Sequence, residues 1–407
     1  MNARKSSTAA GLMCMALLAA ASAAAGCGGG NGHDHGHPSG AYPAFTPAPG
    51  QAVKGPGAVM TAPRFTAITF PNDPYAGLLE DFTARVGGST WWATVTSDYG
   101  VGIATATSAI EIAETPAATI TDDEIQAFLK TQLTTTSSGW PAPSENSLYI
   151  LYYPDGVKIT GDATGTSCVE YLAYHGYTVV NGINVPYAVV PSCGGYRGMS
   201  ALDVLTDAAS HEMIEAATDP VPPTGYANVD ANLGGWAIYT GLEVGDLCER
   251  SQFVDVVASP LDYVVQRIWS NTSAAAGHDP CVPRVGRYFI AQPVASDKVL
   301  VSVPGSPISL QVNGVRIPAG ASRDVELDLF SDGDTGGPWL VTAKEILGTP
   351  TQAPALDLSL DRDQGVNGEK LWLHIHHLHA GSESVLITSS QGGFTHSVIL
   401  AVGSAGS

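Results

Sequence analysis

The sequence predicts an α+β protein in two folded parts: a mixed helix-and-strand part, then a C-terminal β-sandwich. Three observations lead there. Forty-six Gly and 27 Pro in 407 residues argue against a helical bundle and for many turns. From Phe65 to Ala217 strand-like and helix-like patterns alternate. After Pro283 helical periodicity disappears and short β runs separated by Gly, Pro and Ser remain.

Each element has a local reason. Arg4 and Lys5 precede an apolar run from Leu12 to Ala25, too short to span a bilayer and ending in small residues, as an export signal does. Ala24-Ala25-Gly26-Cys27 resembles a lipoprotein processing site with Cys27 as the lipidated residue, although Ala24 stands where that pattern has Leu. Ordinary signal cleavage is the alternative. Residues 28–58, with nine Gly and five Pro, predict a flexible linker. Phe65–Phe70 alternates as a strand and ends in the turn cluster Pro71-Asn72-Asp73-Pro74. Gly77–Val86 has helical spacing, Thr121 and Glu124 form a capping box opening a helix to about Leu133, and Ser147–Tyr153 is a strongly β run. Tyr187–Val190 predicts a short strand and Ala201–Ala217 the clearest helix. Strands are expected at 298–303, 324–330, 339–343, 370–378 and 384–388, with a domain boundary near 285. On the Lys370–Leu378 run, His374 and His376 share one face, and no neighbouring carboxylate in the sequence accompanies them.

Composition excludes some functions. Hydrophobic residues make up 44% of the chain and charged ones 14%, so it can bury a core. Eighteen Lys and Arg against 38 Asp and Glu give a net charge of −20, which repels phosphate backbones and excludes nucleic acid as a partner. Once Cys14 leaves with the signal and Cys27 with the lipid, Cys168, Cys193, Cys248 and Cys281 remain, an even number suited to an oxidising compartment. The pairs Cys168–Cys193 and Cys248–Cys281 are expected because each flanks one continuous segment. No Gly-x-Ser-x-Gly elbow or phosphate loop is present.

The residues that carry chemistry are His211-Glu212-Met213-Ile214-Glu215 on the Ala201–Ala217 helix. A metallopeptidase helix needs two ligands one turn apart and, after the first, a residue placed to activate water. His211 and Glu215 meet the first requirement and Glu212 the second. Pro220 stops the helix, and either Glu243 or Asp246 returns as a third ligand. One imidazole with carboxylates suits zinc less than a two-His set does, and leaves manganese, iron or calcium open. His175, beside Gly176 between two cysteines, either joins the metal site or, the favoured reading, hydrogen-bonds in a disulfide-tied loop.

A series of motifs over roughly residues 59 to 283 resembles the phosphate-induced, EXORDIUM-like secreted proteins. They run Val59-Met60-Thr61-Ala62-Pro63, Trp91-Trp92, Asp98-Tyr99-Gly100-Val101-Gly102, Ile120 to Gln126, Leu148-Tyr149 and Tyr153-Pro154. Tyr174-His175-Gly176, Ser210-His211-Glu212, Thr218-Asp219-Pro220, Glu243 to Cys248, Val265-Gln266 and Trp269-Ser270-Asn271 follow. The resemblance implies an extracytoplasmic protein. The His-Glu-x-x-Glu helix in turn looks like that of zincin-type metallopeptidases, which implies His211 and Glu215 as ligands and Glu212 as base. The chain departs from the plant pattern in its lipoprotein-like start and in its added β-domain.

The expected organisation is therefore a signal peptide at 1–27, a linker at 28–58, a zincin-like domain at 59–285 and an immunoglobulin-like β-sandwich at 286–407. The expected function is that of an exported, lipid-anchored, zinc-dependent peptidase acting on a peptide or held on a cell-surface polymer, bacterial outer-membrane-bound or secreted. The alternative is a non-catalytic envelope binding protein in which the same helix is structural.

Overall fold

All seven residues of the strand Ser147–Tyr153 are buried, so both faces of the sheet it belongs to are covered. Alternation along this strand feeds two cores. Leu148, Ile150 and Tyr152 pack with Leu205, Ala209, Met213 and Ile214 of the long helix, and Tyr149, Leu151 and Tyr153 with Ile125 and Leu129 of another. The strand pairs in parallel with Arg64–Thr69 and with Ile183–Pro191, which pairs antiparallel with Tyr174–Val180 at the sheet's edge. These features belong to a computed structural model, which describes residues 32–48, 50–135, 138–161, 165–249, 256–302, 309–349 and 351–404. The expected export signal and Cys27 lie outside the described residues.

The long helix runs Ala201–Thr218. Ser200 caps it: its Oγ accepts from Asp203 N at 3.2 Å while Asp203 Oδ2 accepts from Ser200 N at 3.0 Å. Val204–Thr206, Ala208–Ser210 and Glu212–Thr218 are all buried, including two carboxylates that ordinary helix packing does not bury. Past Pro220, Asp219 Oδ1 accepts from Thr224 N and Gly225 N at 3.1 and 2.6 Å and turns the chain. The helix Asp122–Thr134 has the expected Thr121–Glu124 capping box.

The C-terminal part is a two-sheet β-sandwich. One sheet holds Phe289–Pro293, Ser322–Ser331, Lys370–His377 and Leu356–Leu360; the other has six strands centred on Phe394–Gly403 and Ser382–Gln391. Phe289, Val325, Leu327, Leu371 and Leu373 from the first meet Val341, Val385, Ile387 and Leu400 from the second. His377 is fully buried, whereas exposed His374 meets Asp324 on the neighbouring strand, Nδ1 to Oδ1 2.6 Å; the cross-strand partner supplies the carboxylate that its own strand lacks.

One expectation needs correction. Residues 28–58 were expected to form a flexible linker, but from His35 onward this segment is docked. Lys370 N donates to His35 O at 2.8 Å, Asn367 Nδ2 donates to the carbonyls of Ser39 and Ala41, and Ala52–Val53 pairs with Asn228–Val229. Gly and Pro deprive it of its own helix or strand, yet its backbone groups find partners on the body. The predicted boundary near 285 is likewise no gap. His35 to the C-terminus forms one unit, in which Asn313 N donates to Ala231 O at 2.7 Å and Tyr239 packs against the cluster of Val299, Val301, Val312 and Ala401.

Both expected disulfides are present, Cys168–Cys193 and Cys248–Cys281, at sequence separations of 25 and 33. Loops of that size contribute about 3 to 4 kcal/mol each in the chain-entropy account. They fit an oxidising, extracytoplasmic setting. No helix among the described residues is long and apolar enough to cross a membrane.

Buried His396, whose Nε2 lies 2.9 Å from Arg287 O with Phe289 and Tyr288 against its ring, supplies a pH test. Burial pulls its pKa down to about 4. Between pH 6.5 and 4 the unfolded chain takes up a proton that the native chain refuses, so this group's stabilisation is full above 6.5 and is lost as pH falls, by about 1.4 kcal/mol per unit. The stability difference between the wild type and His396→Gln, from urea melts, should shrink across that window. A difference that stays constant with pH would contradict the assignment.

Candidate metal centre and cleft

Three segments converge on one turn of the long helix. The helix supplies His211, Glu212 and Glu215; the edge strand Tyr174–Val180 supplies His175; the return segment supplies Glu243 and Asp246. The return segment is firmly held. Trp269 N donates to Val244 O at 3.1 Å, Trp236 Nε1 donates to Leu247 O at 2.9 Å, and Cys248 is bonded to Cys281.

The backbone sets the carboxylate geometry. Glu215 Oε1 accepts from Gly245 N and Asp246 N, both at 3.1 Å, so its Oε2 is the oxygen that faces the imidazoles, 3.1 Å from His211 Nε2 and 3.7 Å from His175 Nδ1. Asp246 Oδ1 lies 3.8 Å from His211 Nε2. Glu243, the other candidate third ligand, faces His175 instead: its Oε1 is 3.6 Å from Nε2. Glu212 Oε2 is 3.2 Å from His175 Nδ1.

Gln266 fixes the tautomer of His211. A backbone carbonyl can only accept, so Gln266 turns its amide nitrogen to Gly245 O at 2.7 Å and its oxygen to His211 Nδ1, also at 2.7 Å. Nδ1 must donate to that oxygen, which leaves Nε2 as the lone-pair nitrogen facing Glu215 and Asp246.

The site is crowded with like charge and nearly closed to water. Side chains of His175, Glu212 and Glu215 are 4%, 7% and 4% exposed. Burial and the Glu215 charge push Asp246 up to about 8, and the same two causes raise Glu243 well above the usual carboxylate range. Burial opposes charge on His175, but Glu243, Glu212 and Glu215 outweigh it and raise its pKa to about 10. The same contest, won by Glu215, lifts His211. Burial likewise opposes charge on Glu215, and His211 lowers it nonetheless. At neutral pH protons therefore occupy positions that a cation would fill.

The cluster opens into a cleft of about 450 Å³. His211, Glu212, Asp246 and Gln266 line it, together with Leu172, Tyr196 and Met199 from the loops joined by Cys168–Cys193. Such a volume suits a bound organic group.

The structure thus brings together the sequence-predicted residues His211, Glu212, Glu215, Glu243 and Asp246, and adds two. His175 was favoured as a loop residue; it lies on a strand, opposite Ala188, and faces the helix. Gln266 stood in the sequence only within the Val265-Gln266 motif of the resemblance, with no chemical role attached to it.

Two outcomes test this geometry. A Cβ at Gly245 would stand 2.7 Å from Glu215 Oε1 and 3.0 Å from His211 Nδ1, so Gly245→Ala should cost about 1 to 3 kcal/mol in a denaturant melt. A variant as stable as wild type would mean that the return segment is looser than described. In chelator-stripped protein, NMR should place the His175 titration near pH 10, and Glu243→Gln should lower it. An unmoved midpoint would show that Glu243 does not hold that proton.

No family model matches the sequence, and no curated protein matches it. Among solved structures the chain is similar to domains 4 and 5 of the S-layer protein SbsC, with 15% identity, 32% of this chain and 69% of that one covered, and a TM-score of 0.18. It is similar to a conjugative transposon lipoprotein from Bacteroides eggerthii, with 12% identity, 22% and 88% covered, and a TM-score of 0.18. For a chain of the titin M10–obscurin-like 1 Ig complex the values are 14%, 29% and 92%, and 0.19. At these scores the likenesses carry no argument about fold or function.

Proposed function

We propose that the protein is an exported, metal-dependent hydrolase of the peptidase class, lipid-anchored through Cys27, with a zincin-like, EXORDIUM-related body and an immunoglobulin-like sandwich that holds it on a surface polymer. One observation carries the reading. His211 Nε2, Glu215 Oε2 and Asp246 Oδ1 lie within 4.8 Å of one another, and His211 and Asp246 line a cleft. A tetrahedral seat with bonds of about 2.0 to 2.2 Å needs its ligand atoms roughly 3.3 Å apart, and His211 Nε2 stands 3.1 and 3.8 Å from the two oxygens. The third separation, between the two carboxylate oxygens, is within 4.8 Å. The donor set fits zinc, and with two carboxylates it also accepts manganese, iron or calcium.

A divalent ion there would polarise a scissile carbonyl and acidify a neighbouring water. The chain's own residues do the rest. Glu212, next to the first ligand and lining the cleft, takes the proton from the attacking water and returns it to the leaving amine. His175, 3.2 Å away, steadies the Glu212 carboxylate, and Gln266 keeps His211 in the ligating tautomer. The cleft is also lined by Leu172, Tyr196 and Met199, against which an extended chain can lie.

Purified protein assayed for hydrolysis of an unstructured protein such as casein, alongside elemental analysis, tests this reading. Glu212→Gln should lose turnover and keep the ion held by His211, Glu215 and Asp246, whereas Gln266→Ala should weaken binding of that ion about 10- to 100-fold. Hydrolysis unchanged in Glu212→Gln ends the assignment. Wild type with no transition metal and no turnover leaves the binding-module reading, in which the pairs His211–Glu215 and His175–Glu212 are structural.

A further inference from the structure

A seat for one ion uses His211, Glu215 and Asp246 and leaves a second set of buried groups beside it. His175 Nδ1, Glu212 Oε2 and Glu215 Oε2 also lie within 4.8 Å of one another, at 3.2 Å for His175 to Glu212 and 3.7 Å for His175 to Glu215. Glu215 belongs to both sets. Its Oε1 is occupied by the amides of Gly245 and Asp246, so Oε2 is the atom the two sets share.

We propose that this is a paired centre that binds two divalent cations bridged by Glu215. The first seat is His211 Nε2, Glu215 Oε2 and Asp246 Oδ1; the second is His175 Nδ1, Glu212 Oε2 and Glu215 Oε2. The inference rests on the hydrolase reading for its first seat and goes beyond it in stoichiometry and in the role of His175.

Two independent observations point to the second ion. The first is a pair of orphans. His175 Nε2 and Glu243 Oε1 are both shut off from water without a hydrogen-bond partner, although they stand 3.6 Å apart. Buried polar atoms in folded proteins are normally paired. Ligation through Nδ1 places the imidazole's remaining proton on Nε2, aimed at Glu243, and so forms the carboxylate–histidine–metal relay that ligating histidines adopt. Glu243 is then the positioning residue behind His175, which explains why it faces away from the first seat.

The second is charge. Glu212, Glu215, Glu243 and Asp246 bring four carboxylates, and ligating imidazoles are neutral. With one divalent ion, part of that negative charge has to be met by protons held among side chains that are at least three-quarters buried; two ions balance all four carboxylates without them. Paired ions about 3.5 to 4 Å apart are a recurrent hydrolytic arrangement, and the contact to Glu212 engages only one of its oxygens, leaving the other for the proton.

The test uses the full chain, stripped with chelator, reloaded with Mn²⁺ and freed of excess ion. Elemental analysis should find about two ions per chain in wild type, about one in His175→Ala and in the milder His175→Gln, and none in Glu215→Ala. Electron paramagnetic resonance of the loaded wild type should show a spin-coupled pair, and His175→Gln an isolated ion. Wild type that saturates at one uncoupled ion, with His175→Gln retaining it, overturns the paired centre and leaves the hydrolase reading standing. Wild type that binds no ion removes both. Should the variants fail to fold, the wild-type stoichiometry and spectrum decide alone.

Discussion

Two backbone amides, those of Gly245 and Asp246, hold one oxygen of the buried Glu215 carboxylate. Without them, the middle of a helix packed against a sheet could not carry an ionised carboxylate, because burial without partners costs more than such packing returns. With them, the helix and the return segment are locked in one register. Gly245 has to be glycine because the segment passes against Glu215 and His211 with no room for a Cβ. The disulfide Cys248–Cys281 and the two tryptophan N–H bonds keep the segment there.

From this contact the electrostatics follow. Fixing Glu215 Oε1 turns Oε2 toward two imidazoles, and their raised affinity for protons together with the raised pKa values of Asp246 and Glu243 reflect one shortage: anions outnumber cations in a dry space. Clusters of this kind, opening on a cleft, are where perturbed titration accompanies chemistry. Among the described residues, the β-sandwich contributes none to this cluster. Its contacts with the Gly234–Thr240 helix and with the docked segment from His35 brace the body that carries the cluster.

The comparison of sequence with structure divides along a physical line. Ser147–Tyr153 and Asp122–Thr134, with its capping box, were legible because their signals are local: β-branched and aromatic density, or a cap followed by periodicity. Ile183–Pro191 extends beyond the expected Tyr187–Val190 because pairing with Tyr174–Val180 carries the strand through Asn184 and Pro186, which disfavour it locally, to Ile183 and Val185. The segment after His35 was misread because composition reports the lack of a private core, whereas backbone partners elsewhere on the chain decide whether it docks.

The sequence by itself determined the α+β layout and the stripe that places His211 one turn before Glu215, and it favoured, among three connectivities, the two cysteine pairs that the structure shows, since each depends on residues close along the chain or on simple chain closure. Only the tertiary structure decided that Asp246 faces His211 while Glu243 faces His175, that an edge-strand histidine enters the cluster, and that Gln266 sets a tautomer. Those positions lie 31 to 55 residues from their helix partners, or approach them from another sheet edge, and the directions of their side chains are fixed by packing that no local pattern encodes.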